Sequence, residues 1–157
     1  MGISRYGKAF PGTSSQIFNT MKVVIDTNVL WVSISSRSSS HWIFRAILDG
    51  KITLCVTNEI VAEYEEIINN KLGKPVADAI LSALDNLPNI EYITRYYRWF
   101  AVKSDPDDDK FVDCFVASGA SYLITEDNHF KVVKTLKFPV IEVVGIREFE
   151  QIFNRNN

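Results

Sequence analysis

Lys22-Val23-Val24-Ile25-Asp26-Thr27-Asn28 is the stretch on which the fold turns. Three successive β-branched residues without polar alternation are the mark of a strand buried on both faces, which is the habit of a central parallel strand. Upstream, residues 1–20 mix Gly, Ser, Thr and Pro without periodicity. They are read as an extension, a disordered lead or a mis-assigned start ahead of a domain spanning 21–157. Downstream, a Ser-rich loop (Ser33 to Ser40) leads to an amphipathic stretch, His41–Leu48, and a second strand, Ile52–Val56. Thr57 suits an N-cap for a helix to about Leu72, and a further helix follows Pro75 to about Leu87. Ile90–Thr94 reads as a third strand and the acidic turn Asp105–Asp109 opens a helix to about Gly119. Strand Tyr122–Thr125, a short helix near Phe130–Leu136, strand Val140–Val144 and helix Ile146–Phe153 complete the chain. Strands separated by helices predict an α/β fold of three layers, α/β/α, around a mainly parallel sheet.

The composition sets bounds on function. The 157 residues carry 17 Lys+Arg against 19 Asp+Glu, a formal charge of −2. A chain of this length buries enough surface to fold without disulfides or a structural metal. Cys55 and Cys114 each lie within an apolar run, outside any C-x-x-C pair, and are expected to be buried hydrophobes. No run of roughly 18 apolar residues is present, so no membrane span is expected, and the absence of a signal-like opening points to the cytoplasm. An acidic chain does not hold nucleic acid by general basicity. The distribution of its acids is therefore informative.

In an open parallel sheet, ligands bind beyond the carboxyl ends of the strands. Asp26 ends the first strand, and Asp127 follows Leu123-Ile124-Thr125-Glu126. Asp105, Asp107, Asp108 and Asp109 crowd one turn, although a helix cap needs a single Asp. Asp113 stands among Phe111, Val112, Cys114, Phe115 and Val116, where a bare carboxylate is costly unless paired or bound to a cation. On the helix after Thr57 the apolar face centres on Tyr64, and Glu63 and Glu65 lie on its two edges; helical geometry does not choose between them. If Asp26, one of these Glu residues, Asp108, Asp113 and Asp127 converge, their charges demand raised pKa values or a cation. Ligands that are all oxygen match Mg²⁺ or Mn²⁺, one or two ions, which serve phosphoryl chemistry by activating water and steadying the leaving oxygen. His41 and His129 are read as ordinary surface histidines ahead of proton shuttles.

With the acids in place, the sequence from Met21 onward closely resembles the PIN domain, a family of metal-dependent ribonucleases that includes the toxin subunits of VapBC-type toxin–antitoxin systems. Val23-Val24-Ile25-Asp26-Thr27-Asn28 is similar to the family's strand followed by D-T-N, and Thr57-Asn58-Glu59-Ile60-Val61-Ala62-Glu63-Tyr64 to its helix bearing a second acid. Asp105-Pro106-Asp107-Asp108-Asp109-Lys110-Phe111-Val112-Asp113-Cys114 resembles the D-P-D-D-x-x-F-x-[ED]-C pattern of one subgroup, and Leu123-Ile124-Thr125-Glu126-Asp127 the final strand with [TS]-x-D. The resemblance implies Asp26, Glu63, Asp108 and Asp127 as catalytic acids and metal ligands, and Asp113 as an accessory ligand. It also implies Thr27, Asn28 and Thr125 as supports and Asp105 as a turn former. The implied reaction is endonucleolytic hydrolysis of RNA phosphodiester bonds by metal-activated water, with an antitoxin protein as partner and a homodimer as a common assembly.

Candidate RNA contacts are Arg37, Arg95, Arg98 and Lys110, with Arg95-Tyr96-Tyr97-Arg98-Trp99-Phe100 interleaving arginines and aromatics in the manner of a single-strand binding segment. Two rival readings stand beside the nuclease. A phosphatase working through an aspartyl-phosphate wants a second Asp two residues after the nucleophile, where this chain has Asn28. A non-catalytic RNA- or protein-binding module would have little use for a full set of acids.

Overall fold

The computed structural model describes residues 20–94, 98–99, 101–102 and 106–157. Five strands form one parallel sheet: β1 (Met21–Ile25), β2 (Ile52–Val56), β3 (Ile90–Tyr92), β4 (Tyr122–Ile124) and β5 (Val143–Val144), in the order β3-β2-β1-β4-β5. Helices α1 (Thr27–Ile34), α2 (His41–Leu48), α3 (Asn58–Leu72), α4 (Lys74–Asp85), α5 (Asp109–Ser118) and α6 (Ile146–Asn156) flank it. Two short 3₁₀ segments, Pro106–Asp108 and Asn128–Thr135, precede α5 and follow β4.

The predicted α/β fold with a parallel sheet is the one observed. Val23, Val24 and Ile25 are all 0% exposed. Because successive strand residues point to opposite faces, that run requires both faces of β1 to be covered, which is the layered arrangement. β1 pairs with β2 on one side (Val23 opposite Leu54) and with β4 on the other (Val24 opposite Leu123). The chain builds outward from β1 through β2 to β3, then crosses back to place β4 on the other side. The crevice between the carboxyl ends of β1 and β4 is thus the topological switch point where such sheets bind ligands.

Local chemistry explains the element ends. The Ile60 N–H donates to the Thr57 hydroxyl at 3.3 Å, making Thr57 the N-cap of α3 as predicted. Gly119, at φ +67°, closes α5 in the left-handed conformation that a side chain disfavours. Several boundaries differ from expectation. Thr27–Ile34 forms a helix where no element was predicted, so the Ser33–Ser40 loop begins inside α1; buried Ser33 donates its hydroxyl to the Leu30 carbonyl at 2.6 Å. The segment expected as a helix near Phe130–Leu136 is the 3₁₀ helix Asn128–Thr135. The strand expected over Val140–Val144 shrinks to Val143–Val144, since Pro139 offers no N–H and Val140 is 65% exposed. Both cysteines are free and buried, as expected, and burial pushes the Cys55 thiol up to about 11. Among the described residues no helix is long and apolar enough to cross a membrane.

Candidate functional site

Asp26 stands at the N-cap position of α1, yet its side chain makes no capping bond. Its backbone N–H instead continues the β1–β4 ladder by donating to the Ile124 carbonyl at 3.0 Å, and its carboxylate Oδ2 accepts the Thr125 hydroxyl at 2.8 Å. The carboxylate is buried, with 5% of the residue exposed. Burial raises its pKa; the Thr125 bond opposes the rise, and the negative charges of Asp127 and Glu63 add to it. A buried acid facing two further acids is the electrostatic situation a divalent cation relieves.

Thr125 links two of the acids. Its hydroxyl donates to Asp26 and accepts the Asp127 N–H at 3.0 Å, so the residue after β4 orients both carboxylate-bearing turns. Asp127 Oδ1 in turn accepts the His129 N–H at 2.9 Å. The His129 ring nitrogen Nδ1 lies 3.4 Å from that same oxygen and 3.9 Å from Asp108 Oδ2. Asp108, Asp127 and His129 each offer a ligand atom, all within 4.8 Å of one another, and among the described residues they form the group with metal-ligand spacing. Asp26, Glu63 and Asp113 lie outside that group. Its chemistry, two carboxylates and an imidazole, fits a divalent cation, and the neighbouring buried Asp26 extends the negative potential.

Glu63 arrives from α3. The fully buried Tyr64 donates its hydroxyl in a short bond to the Ile25 carbonyl, tying α3 to the end of β1. The adjacent Glu63 then accepts the Thr27 hydroxyl on Oε1 at 2.6 Å, while its Oε2 pairs closely with Lys110 from α5. Glu65 is exposed. The edge of α3 that meets β1 is therefore the one bearing Glu63. Thr27, expected to support the acids, does so through Glu63; Asn28 is exposed.

The acids of α5 divide their work. Asp109 is 7% exposed and its Oδ1 accepts the Val102 N–H at 2.6 Å; Asp113 is 1% exposed and its Oδ1 accepts the Trp99 N–H at 2.9 Å. Both hold the segment that precedes the helix. Lys110, expected among the RNA contacts, is paired with Glu63, whereas Arg37 and Arg98 are exposed. Arg95, Asp105 and the aromatics Tyr96, Tyr97 and Phe100 lie outside the described residues. Phe115 packs in the core at 6% exposure. His129, read from the sequence as an ordinary surface histidine ahead of a proton shuttle, instead stands in the group with metal-ligand spacing; its signal is the D-x-H spacing after β4, legible only once the tight turn of a 3₁₀ segment is known.

Residues 22–129 match the family model described as PIN domain. No curated protein matches the chain in sequence. Among solved structures, the fold is similar to a chain in VapBC2 from Rickettsia felis bound to a DNA fragment from their promoter, with TM-score 0.57 and 15% identity, covering 80% of this chain and 98% of that one. It is also similar to a chain in DNA-bound VapBC from Salmonella typhimurium, with TM-score 0.52 and 16% identity over 81% and 99% of the two chains. At such identities these structures bear on fold alone, but the family match runs from the residue before Val23 to the histidine beside Asp127 and spans the whole acidic crevice: the chain belongs to the PIN domain family.

Proposed function

We propose that this chain is an endoribonuclease dependent on Mg²⁺ or Mn²⁺. The observation that carries the reading is the buried Asp26 carboxylate, oriented by Thr125 and facing Asp127 and Glu63 at the sheet's switch point. Asp108, Asp127 and His129 would hold the ion, with Asp26 as a further ligand on the side of Thr125 and Glu63 bonded to Lys110 and Thr27. A divalent ion there supplies Lewis acidity at the phosphate and a more acidic water. The residues' own contribution is orientation: the Thr125 hydroxyl holds the Asp26 carboxylate and the Asp127 backbone N–H at once, and Asp113 anchors the backbone of Trp99 close to the helix that begins at Asp109. No protein nucleophile is required, which separates this reading from the aspartyl-phosphate phosphatase.

The family resemblance and the fold shared with chains of VapBC complexes support a role as a toxin component with a protein antitoxin as partner. The test is incubation of the purified chain with a mixed RNA in Mn²⁺, Mg²⁺ or EDTA. Cleavage that leaves 5′-phosphate and 3′-hydroxyl ends, and that stops with EDTA or with Asp26→Asn, is the expected result. Full cleavage in EDTA would overturn it, and RNA binding without cleavage under any ion would favour the non-catalytic module.

A further inference from the structure

The 3₁₀ helix Asn128–Thr135 begins directly after Asp127. A 3₁₀ helix has three residues per turn, so side chains three apart eclipse one another and each third residue shares a face. One face, Phe130 and Val133, is 0% exposed, and the Phe130 ring meets Phe111 of α5 edge-on at 6.3 Å. The next face carries Lys131 and Lys134, both exposed, and exposed Lys137 continues the spacing just beyond the helix. None of the three lysines forms an ion pair with a described residue. Within the helix the rise from Lys131 to Lys134 is roughly 6 Å, and Lys137 follows three residues on, past the extended Leu136, so the three cations succeed one another along the chain.

Beyond this row lies an aromatic pair. Phe138 is 78% exposed and meets Trp99 edge-on at 5.5 Å, with exposed Arg98 as Trp99's neighbour and Val140, 65% exposed, close by in sequence. A large aromatic ring this exposed, next to a row of cations, is costly to keep in water and suited to a flat, negatively charged partner. A nucleic-acid strand whose phosphates follow the lysines would bring its unpaired bases onto Phe138 and Trp99. In a duplex those base faces are already stacked.

From this arrangement we infer that Lys131, Lys134 and Lys137 with Phe138 and Trp99 form a track for single-stranded RNA leading away from the acidic cluster. The inference rests on the nuclease reading for the place of the cut, but the track is testable without cleavage. Binding of a short labelled oligouridine is followed by fluorescence anisotropy in EDTA across a salt series. The triple variant Lys131→Gln/Lys134→Gln/Lys137→Gln should lower the slope of log affinity against log salt by about 2, at ~0.7 per phosphate contact. Phe138→Ala should weaken oligouridine binding by about tenfold and leave binding of an RNA duplex unaltered. All four positions are exposed, and matched melting temperatures will show that the variants are folded.

An unchanged salt slope in the triple variant overturns the track. So does displacement of the RNA by polyglutamate at equal charge together with a neutral Phe138→Ala, which would assign the surface to an acidic polypeptide. The two readings separate cleanly. Lysine-dependent RNA binding without cleavage in Mn²⁺ keeps the track and removes the nuclease, whereas cleavage with lysine-independent binding does the reverse.

Discussion

The two ends of the sheet differ in kind. At the amino end, a cavity of about 740 Å³ opens between Met21, Ile52, Tyr122 and the last turn of α6, and its charged lining residues Asp49 and Lys51 have opposite signs. At the carboxyl end Asp26, Asp108 and Asp127 gather beside the Glu63–Lys110 pair, Asp26 is buried, and the Thr125 hydroxyl bonds both the Asp26 carboxylate and the Asp127 N–H. Room alone does not make a site. The end that holds like charges together against their repulsion is where an ion is called for, and in a doubly crossed sheet the topology puts that end beside β1 and β4.

Substitution should widen this contrast. The largest effect is expected from Asp26→Asn or Asp127→Asn, each lowering Mn²⁺-dependent RNA cleavage by about 10³-fold or more, measured with a labelled substrate under single-turnover conditions; Asp49→Asn at the amino end should leave the rate unaltered. Thr125→Val removes the shared hydroxyl while keeping its shape, and should cost about 10- to 100-fold in metal affinity or cleavage. A smaller effect concerns stability. Because the folded-state pKa of Asp26 is raised, the folded chain holds this proton to higher pH than the unfolded chain does, so stability attributable to Asp26 falls as pH rises from about 3.8 through the raised value. The metal-free Asp26→Asn protein should therefore melt above the wild type at neutral pH and below it, or no higher, once Mn²⁺ is added; calorimetry with and without the ion decides this. Least of all, Asp49→Asn and Lys51→Gln should each move stability by less than about 0.5 kcal/mol, read from urea midpoints.

Much of this contrast was legible in the sequence. An uninterrupted Val23-Val24-Ile25 can only be satisfied by cover on both faces, and an acid directly after it falls where the sheet binds ligands. Legibility failed where tertiary contacts overrode local pattern. Thr27–Ile34 carries Val29, Leu30, Trp31, Val32 and Ile34 around most of its circumference, so it shows no amphipathic stripe. Glu63 and Glu65 are equivalent on a helical wheel; only Tyr64 reaching the Ile25 carbonyl turns one edge toward Thr27. His129 depends on a 3₁₀ turn, whose three-residue repeat is not distinguishable from an α-helix in so short a segment.

The paired bonds from Asp109 to the Val102 N–H and from Asp113 to the Trp99 N–H carry a warning for mutational scanning. Removing either carboxylate strands a backbone donor, at roughly 1–3 kcal/mol, and slackens the strap that carries Trp99. An alanine at position 113 would score as inactivating whether or not that side chain ever meets an ion, a false positive that only direct measurement of metal stoichiometry can unmask.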